Sequence, residues 1–265
     1  MLLSKSGVGA AITQVTYALD HVDIEIPSQK GGVMKYFEVQ INPYATTVVN
    51  AGGDFRLRNS SADWVPCHAV TGSYSSVTEG GGCDGKPMRY YVEKEIPGNS
   101  HVYADFRPYN VVTQFLSLTV FWELGGKLTE EHYLECIHPL KAAAKSDTDR
   151  NSPGNMQIPG GKGGRLVALY DMVWPTLETV ANSGGLRELE CDSFMIIPCM
   201  KHTTALTVLG ASGGGFWLPD YTPYDFEVPD NSVYTSYYTA RDDQSQSLST
   251  VLHWVRKPPR ARIVK

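Results

Sequence analysis

The sequence holds one motif that could carry nucleophilic chemistry, the stretch 210–214, which reads GASGG and matches the GxSxG pattern of serine hydrolases. In such enzymes the nucleophile, here Ser212, stands on a sharp turn between a strand and a helix. The following stretch, GFWLPDYTPYD, contains two prolines and cannot supply that helix. We therefore expect a strand connection here rather than a catalytic serine.

Metal ligation is the second chemistry that the residue types allow, through seven histidines and five cysteines. No two histidines have HxH or HExxH spacing, and the group Cys191, Cys199 and His202 matches no structural zinc pattern. The glycine-rich stretch 161–164 contains a lysine but no Ser or Thr in P-loop register. We therefore predict no catalytic residue, no metal and no cofactor, interpret the histidines as single buried or surface side chains, and expect the chain not to be an enzyme.

The end of the sequence is basic, although the whole chain carries a net charge of −5. Two interpretations stay open: a solvated tail, or an arm that contacts a neighbouring subunit, an internal membrane or nucleic acid. The residues of this candidate arm are Arg256, Lys257, Arg260, Arg262 and Lys265. A tyrosine-rich stretch, 221–238, could likewise bind carbohydrate, form a subunit interface or contribute to the core.

A repeat dominates the organisation of the chain. When the sequence is aligned with itself at an offset of 132 residues, 27 of the 97 positions from Ile26 to Trp122 are identical without a gap. The shared residues are mostly Gly, Pro, Asn and Ser, which set backbone conformation at turns, with a few apolar ones. A period this long indicates two tandem domains rather than a stack of small repeats. The chain is therefore an internal duplication that retained a fold and no common reaction chemistry.

The clearest shared feature is a five-residue turn, IPGNS at 96–100 and VPDNS at 228–232. Proline fixes the first turn dihedral and Gly or Asn accepts a positive one, so we expect a hairpin between adjacent strands. The residues predicted to set this turn and the adjoining core are Pro97, Asn99, Ser100, Trp122, Pro229, Asn231, Ser232 and Trp254.

Short alternating apolar stretches separated by turn residues predict about eight strands in each copy, the signature of a β-sandwich or jelly roll. The first strand is expected within 11–26, and glycines 52 and 53 are expected to form a hairpin turn. In the second copy 142–158 reads as a linker, so Glu131–His138 is taken as the counterpart of Tyr17–His21, with a helix over 130–145 as the alternative. We predict an all-β protein of two tandem homologous eight-stranded jelly-roll domains, 1–126 and 127–256, followed by the basic arm 257–265.

Neither a secretory signal nor a membrane-spanning stretch is recognisable in the sequence. The five cysteines are odd in number and irregularly spaced, which favours buried thiols made in a reducing cytoplasm over a disulfide framework. They are Cys67, Cys83, Cys136, Cys191 and Cys199.

The combination of two fused β-barrels, few charges and a composition rich in Gly, Pro and Tyr resembles the double jelly-roll major capsid proteins of icosahedral viruses. The resemblance covers the whole chain as architecture and carries no motif. It implies a virion structural protein, made in the host cytoplasm, whose partners are its own copies in homotrimeric pseudo-hexagonal capsomers and other capsid proteins. The alternative is a tandem carbohydrate-binding or adhesion protein, such as a phage receptor-binding module, which would explain the aromatic and glycine-rich loops equally well. A two-barrel enzyme is the third interpretation, which stoichiometric iron, zinc or manganese would favour.

Overall fold

The protein is β-structure throughout the part of the chain that its computed structural model describes: residues 1–12, 16–43, 52–60, 63–71, 87–108, 114–137, 154–175, 184–192, 194–203, 220–240 and 246–256. Alternation explains most strands, as in 18–26, where Val22, Ile24 and Ile26 are buried and the intervening carboxylates are exposed. The strands in chain order are β1 (Leu2–Val8), β2 (Ala18–Ile26), β3 (Gly32–Pro43), β4 (Gly52–Asn59), β5 (Asp63–Thr71), β6 (Met88–Ile96), β7 (Ser100–Pro108), β8 (Gln114–Leu124), β9 (Glu131–Ile137), β10 (Gly154–Gln157), β11 (Gly164–Pro175), β12 (Gly184–Cys191), β13 (Phe194–Thr203), β14 (Asp220–Val228), β15 (Val233–Ala240) and β16 (Gln246–Arg256). Over these described residues, no helix has the length and apolar character needed to span a bilayer.

Four antiparallel sheets of four strands form two sandwiches with the same topology. The first eight strands form the sheets β1-β8-β3-β6 and β2-β7-β4-β5, and the last eight form β9-β16-β11-β14 and β10-β15-β12-β13. Adding eight to every strand number converts the first pair of sheets into the second, and both have jelly-roll order. The predicted fold, all-β with two tandem eight-stranded jelly rolls, is confirmed. The predicted boundary at residue 126 stays a prediction and falls between β8 and β9.

The two barrels also match in register. Tyr36 pairs with Phe121 across β3 and β8, and Ala168 pairs with His253 across β11 and β16, which preserves the offset of 132. Both central strands contain a register shift at the same place, next to Lys35 in the first barrel and Val167 in the second. A bulge redirects the side chains that follow it, so its retention keeps corresponding residues on corresponding faces.

Several sequence predictions of strand placement are wrong. The alternating strand predicted within 11–26 exists over Ala18–Ile26, but it is the second strand. The first strand is Leu2–Val8, where small and polar residues hide the alternation. The strand Glu131–Ile137 exists, which rules out the alternative helix, but it is the counterpart of β1, and β10 within the supposed linker is the counterpart of β2. Gly52 and Gly53 begin β4 instead of forming a hairpin turn. Short apolar stretches at 46–50, 179–181 and 204–209 also predict strands, and these residues lie outside the described part of the chain.

The five-residue turns also connect differently from the prediction. Strands β6 and β7, like β14 and β15, belong to opposite sheets of their sandwich, so each turn crosses between sheets and is not a hairpin. Asn99 and Asn231 take positive φ values of 58° and 59°. Asparagine tolerates this left-handed conformation better than most residues, which explains why both copies retain it.

Candidate functional site: the interface between the barrels

The second barrel presents the outer face of β9, β16 and β11 to the first barrel, and we call this surface the covered face. Its five residues are at most 3% exposed. All of them except His253 pack into one apolar cluster with the interior of the first barrel. The covered face consists of Leu134, Ala168, Tyr170, Val251 and His253. The opposite sides of the same strands, with Leu169, Leu252 and Trp254, form the second barrel's own core. Strand alternation therefore lets one sheet serve two cores.

The first barrel meets the covered face with the edge formed by β5 and β6. Tyr90 of β6 stacks on Phe37 inside the first barrel, with ring centroids 4.8 Å apart, and contacts the tilted ring of Tyr170 in the second barrel at 4.7 Å. The Tyr170 hydroxyl accepts a hydrogen bond of 3.1 Å from the backbone N–H of Tyr91. Burial raises the pKa of Tyr90 well above its ordinary value, so its phenol stays neutral. The interior of the first barrel is thus closed on this side by the second.

A pair of imidazoles lies at the margin of this contact. His132 Nδ1 and His253 Nε2 are 3.0 Å apart, with ring centroids at 5.1 Å, and we call these two residues the histidine pair. The other ring nitrogen of His253, Nδ1, is buried without a hydrogen-bond partner among the described residues. Burial first, and then the neighbouring His132 and Lys94, lower the pKa of His253 to about 3. Burial is also the largest cause of the lowered pKa of His132. Both rings are therefore neutral at physiological pH.

A lysine from the first barrel reaches the same place. Lys94 of β6 donates a hydrogen bond to the backbone carbonyl of His132, and its ammonium lies 5.5 Å from the ring centroid of Tyr133. Burial lowers the pKa of Lys94 to about 8, which the nearby Glu131 carboxylate partly offsets. Glu93 lies beside Lys35, at 2.6 Å, and accepts from Thr129 at 3.1 Å. The margin of the interface is a partly desolvated polar cluster that joins β3, β6, β9 and β16.

The equivalent surface of the first barrel, the outer face of β1, β8 and β3, has no described strand of the second barrel packed against it. We call it the open face, and its residues at positions matching the covered face are Ser4, Tyr36, Glu38, Thr119 and Phe121. Tyr36 stacks on Phe121 with centroids 4.3 Å apart. The Arg89 guanidinium lies over the Tyr36 ring at 4.6 Å and pairs with Glu38. Tyr91 adjoins them and is 47% exposed.

The residues predicted to set turns and core lie at one end of each barrel. Ser100 Oγ donates to the carbonyl of Pro97 at 2.5 Å, and Ser232 Oγ donates to that of Pro229 at 2.7 Å. Trp122 Nε1 donates to the carbonyl of Lys30 at 2.6 Å, and Trp254 Nε1 donates to that of Lys162 at 2.8 Å. Each shared residue thus makes the same contact twice, 132 positions apart.

The other predicted sites are scattered. Arg256 donates to the carbonyl of Gly161 and lines a shallow cavity of about 300 Å³, while the rest of the arm, 257–265, lies outside the described residues.

In the tyrosine-rich stretch Tyr234 and Tyr238 are buried, and Tyr224 packs against the second core. The GxSxG stretch 210–214 lies outside the described residues. Cys136 and Cys191 are free thiols, and no side-chain placement is described for the other three cysteines.

Sequence reasoning missed the histidine pair. We interpreted all histidines as single side chains, and for His132 and His253 this is wrong. Their contact depends on the pairing of β9 with β16, in which Leu134 lies opposite His253 and His132 lies one diagonal step away. A correct alignment of β9 with β1 would have provided that register. Within the described residues, no three His, Cys, Asp or Glu side chains converge as a metal site.

Comparison with known proteins gives similarity at the level of the fold. No protein-family model and no curated protein matches the chain. Among solved structures, PNGF-II matches at a TM-score of 0.50 and 10% identity over 94% of this chain and 61% of its own. PNGase F, a glycosylasparaginase from Flavobacterium meningosepticum, matches at 0.45 and 11% over 97% and 100% of the two chains. The major capsid protein of bacteriophage PM2 matches at 0.40 and 8% over 98% and 99%.

These matches require one correction. The prediction that the chain is not an enzyme is contradicted, because PNGF-II, a glycanase, shares the fold over 94% of this chain. The lack of a shared catalytic set between the two copies does not exclude catalysis, since an active site can be formed by residues that only one copy carries. The architectural resemblance to double jelly-roll capsid proteins is confirmed at the level of the fold, through the strand order of both barrels.

Proposed function

We propose that the protein is a self-assembling structural subunit of a viral shell, a major capsid protein whose copies join through the open face. One observation supports this function above the others. Within a single chain the β5–β6 edge of one barrel packs on the outer face of the next barrel. The second barrel carries the equivalent edge, β13 and β14, against which no described strand of the first barrel packs. The second barrel therefore offers the β13–β14 edge, and the first barrel offers the open face. They are the equivalents of the edge and the face that already form the interface within the chain.

Such an arrangement is heterologous, because the edge of one copy would meet the face of the next. Heterologous contacts close into rings when the rotation between units permits it. Three chains contribute six similar barrels, so three contacts within chains and three between chains would alternate around a pseudo-sixfold ring. A trimer of this kind can tile a shell with nearly hexagonal units.

The chemistry of the open face suits a protein partner. Interface cores are enriched in Tyr, Phe and Arg, and their strongest contacts come from aromatic and arginine side chains. The open face combines Tyr36, Phe121 and Tyr91 with Arg89. The hydroxyl groups of Ser6 and Thr119, 2.8 Å apart, lie on the same sheet.

The edge of the second barrel offers an apolar side chain at the corresponding place. Phe226 of β14 is 38% exposed and stacks on Tyr224 with centroids 5.6 Å apart. Its register partner is Leu166, as Met34 is the partner of Lys94, so Phe226 and Lys94 occupy equivalent positions. Because Lys94 lies in the interface within the chain, we place Phe226 in the interface between chains.

The remaining parts of the proposal concern location and partners. The protein would be made in the host cytoplasm and reside in the virion, together with other capsid proteins. The basic segment 257–265 would add contacts to a neighbouring subunit, an internal membrane or nucleic acid, for which its four cations, together with Arg256, are suited.

Sedimentation analysis and negative-stain electron microscopy of the purified chain test this function. We expect trimers that appear as six-lobed rings. Phe121→Glu should yield monomers, because it places a charge at the centre of the contact, whereas Leu19→Glu should leave the trimer intact. Leu19 is 65% exposed on the other sheet of the same barrel, so it controls for the added charge. A chain that stays monomeric at every concentration would overturn the proposal.

A further inference from the structure

The histidine pair lies where the two barrels meet, with His253 buried and His132 half-buried. The contact between the two rings has room for one proton only. With Nδ1 of His132 and Nε2 of His253 at 3.0 Å, one nitrogen must donate and the other must accept. If both rings were protonated, two N–H groups would point at each other. The contact is therefore compatible with a neutral pair and incompatible with a doubly charged one.

The surroundings also disfavour a single added proton. A protonated His253 would carry an N–H at Nδ1, and no described acceptor lies within reach of that buried atom. The Tyr170 ring lies on the other side of His253, with centroids 6.3 Å apart, and offers its face rather than a carboxylate. A buried charge without a hydrogen-bond partner is strongly disfavoured.

Charged groups around the pair come from several elements. Lys94 of β6 binds the His132 carbonyl, and its positive charge opposes protonation of both rings. Lys35 of β3 acts in the same direction on His132. The carboxylates of Glu93 and Glu130 favour a charged His132 but do not outweigh its burial. Among the described side chains, no carboxylate is in hydrogen-bond contact with either ring.

We propose that the histidine pair is an acid-sensitive lock that holds the two barrels together while both rings are neutral and releases their contact when either ring is protonated. The lock opens because hydration of the imidazolium requires water to enter between β6 and β9. Opening would expose the edge of the first barrel's core at Tyr90, which the covered face otherwise closes. The proposal concerns the contact within one chain and does not depend on assembly into a shell.

The expected pH range follows from the direction of the shifts. Both histidines have pKa values below 6.5 in the folded protein, so well above pH 6.5 they are unprotonated in both the folded and the unfolded chain. As the pH falls below 6.5, the open state binds protons that the closed state excludes, and the closed state loses stability. For each pH unit below 6.5, the opening equilibrium changes about tenfold for each proton that the open state binds and the closed state excludes.

Hydrogen exchange measured by mass spectrometry tests the lock, with rates corrected for the intrinsic effect of pH. Between pH 7.5 and pH 5 we expect protection of β6, β9 and β16 to fall on the order of tenfold or more, while β4 and β12 keep theirs. In His253→Phe this local response should be strongly reduced. The substitution suits the fold because Phe121 occupies the equivalent position of the first barrel.

Two further variants keep the test decisive. His21 also has a pKa lowered by burial, but it accepts a hydrogen bond from the backbone N–H of Leu116 within the first barrel. His21→Gln should therefore leave the acid response of β6 and β9 unchanged. If His253→Phe does not fold, His132→Gln removes the second ring from the exterior side of the pair. Two results would overturn the proposal. One is an equal loss of protection in β6, β9 and β4 of the unaltered protein, and the other is an acid response of β6 and β9 that stays undiminished in the folded His253→Phe or His132→Gln variant.

Discussion

The covered face and the open face occupy equivalent positions of two copies of one barrel, yet they carry different residues. The matched pairs, covered residue first, are Leu134 with Ser4, Ala168 with Tyr36, Tyr170 with Glu38, Val251 with Thr119, and His253 with Phe121. The first set is buried against a partner that is always present, and small or apolar side chains suit it. The second set combines aromatic and polar groups, which suit a surface that no described strand of the second barrel covers. Duplication kept the strands and turns, while each outer face diverged according to its surroundings.

The largest expected effect separates the two faces by stability. Tyr170→Ala removes a ring that is 1% exposed, its contact with the Tyr90 ring and its hydrogen bond from Tyr91. We expect the free energy of unfolding to fall by about 4 kcal/mol. Glu38→Ala at the matched open position should cost less than about 1 kcal/mol, because its pair with Arg89 is partly solvated. Denaturant unfolding of both variants checks this, and equal losses would contradict the distinction between the faces.

A second difference between the two barrels lies on the sheets that contain β7 and β15. Asp105 is 1% exposed and accepts hydrogen bonds from Arg56 at 3.0 Å, Arg58 at 3.2 Å and the backbone N–H of Asp20 at 2.8 Å. Its equivalent in the second barrel, 132 positions later, is Tyr237. Asp105→Asn should destabilise the protein by about 2 kcal/mol, because two arginines lose their counter-charge while remaining partly hydrated. Thermal unfolding provides the measurement, and an unchanged midpoint would show that this ion cluster adds nothing to the first barrel.

The smallest difference between the two barrels is expected at the shared turn. Trp122→Phe and Trp254→Phe each remove one indole N–H that donates to a lysine carbonyl in the equivalent turn. We expect each variant to lose about 1 kcal/mol, since a single hydrogen bond and little volume are removed. Denaturation midpoints that differ strongly between the two variants would mean that the shared turn does not have one role in both copies.

The sequence was sufficient to predict the architecture because the retained residues are those whose physical roles depend on the backbone. Asn99 and Asn231 recur since the turn needs a positive φ, and the tryptophans recur since each closes the end of its barrel. Such positions indicate a duplicated fold without naming its strand order. The prediction of a hairpin at this turn was wrong because proline and asparagine determine the local geometry but not whether a turn stays within one sheet.

The interface could not be predicted, since it depends on register between distant strands. His132 and His253 are 121 residues apart and meet only because β9 pairs with β16. Strand β1 was missed because its alternation is carried by serines and a lysine, and without β1 the counterpart of β9 was misplaced. Once β9 is misplaced, the residues of the covered face cannot be assigned to one surface.

Mixing two variants tests most directly the claim that an edge and a face left free in one chain form the contact between chains. Phe121→Glu damages the open face and Phe226→Glu damages the edge of the second barrel, so each variant alone should be a monomer. A mixture of the two retains one intact face and one intact edge, and should give a heterodimer in sedimentation analysis and native mass spectrometry. A mixture that contains only monomers, or single variants that still form trimers, would contradict the account.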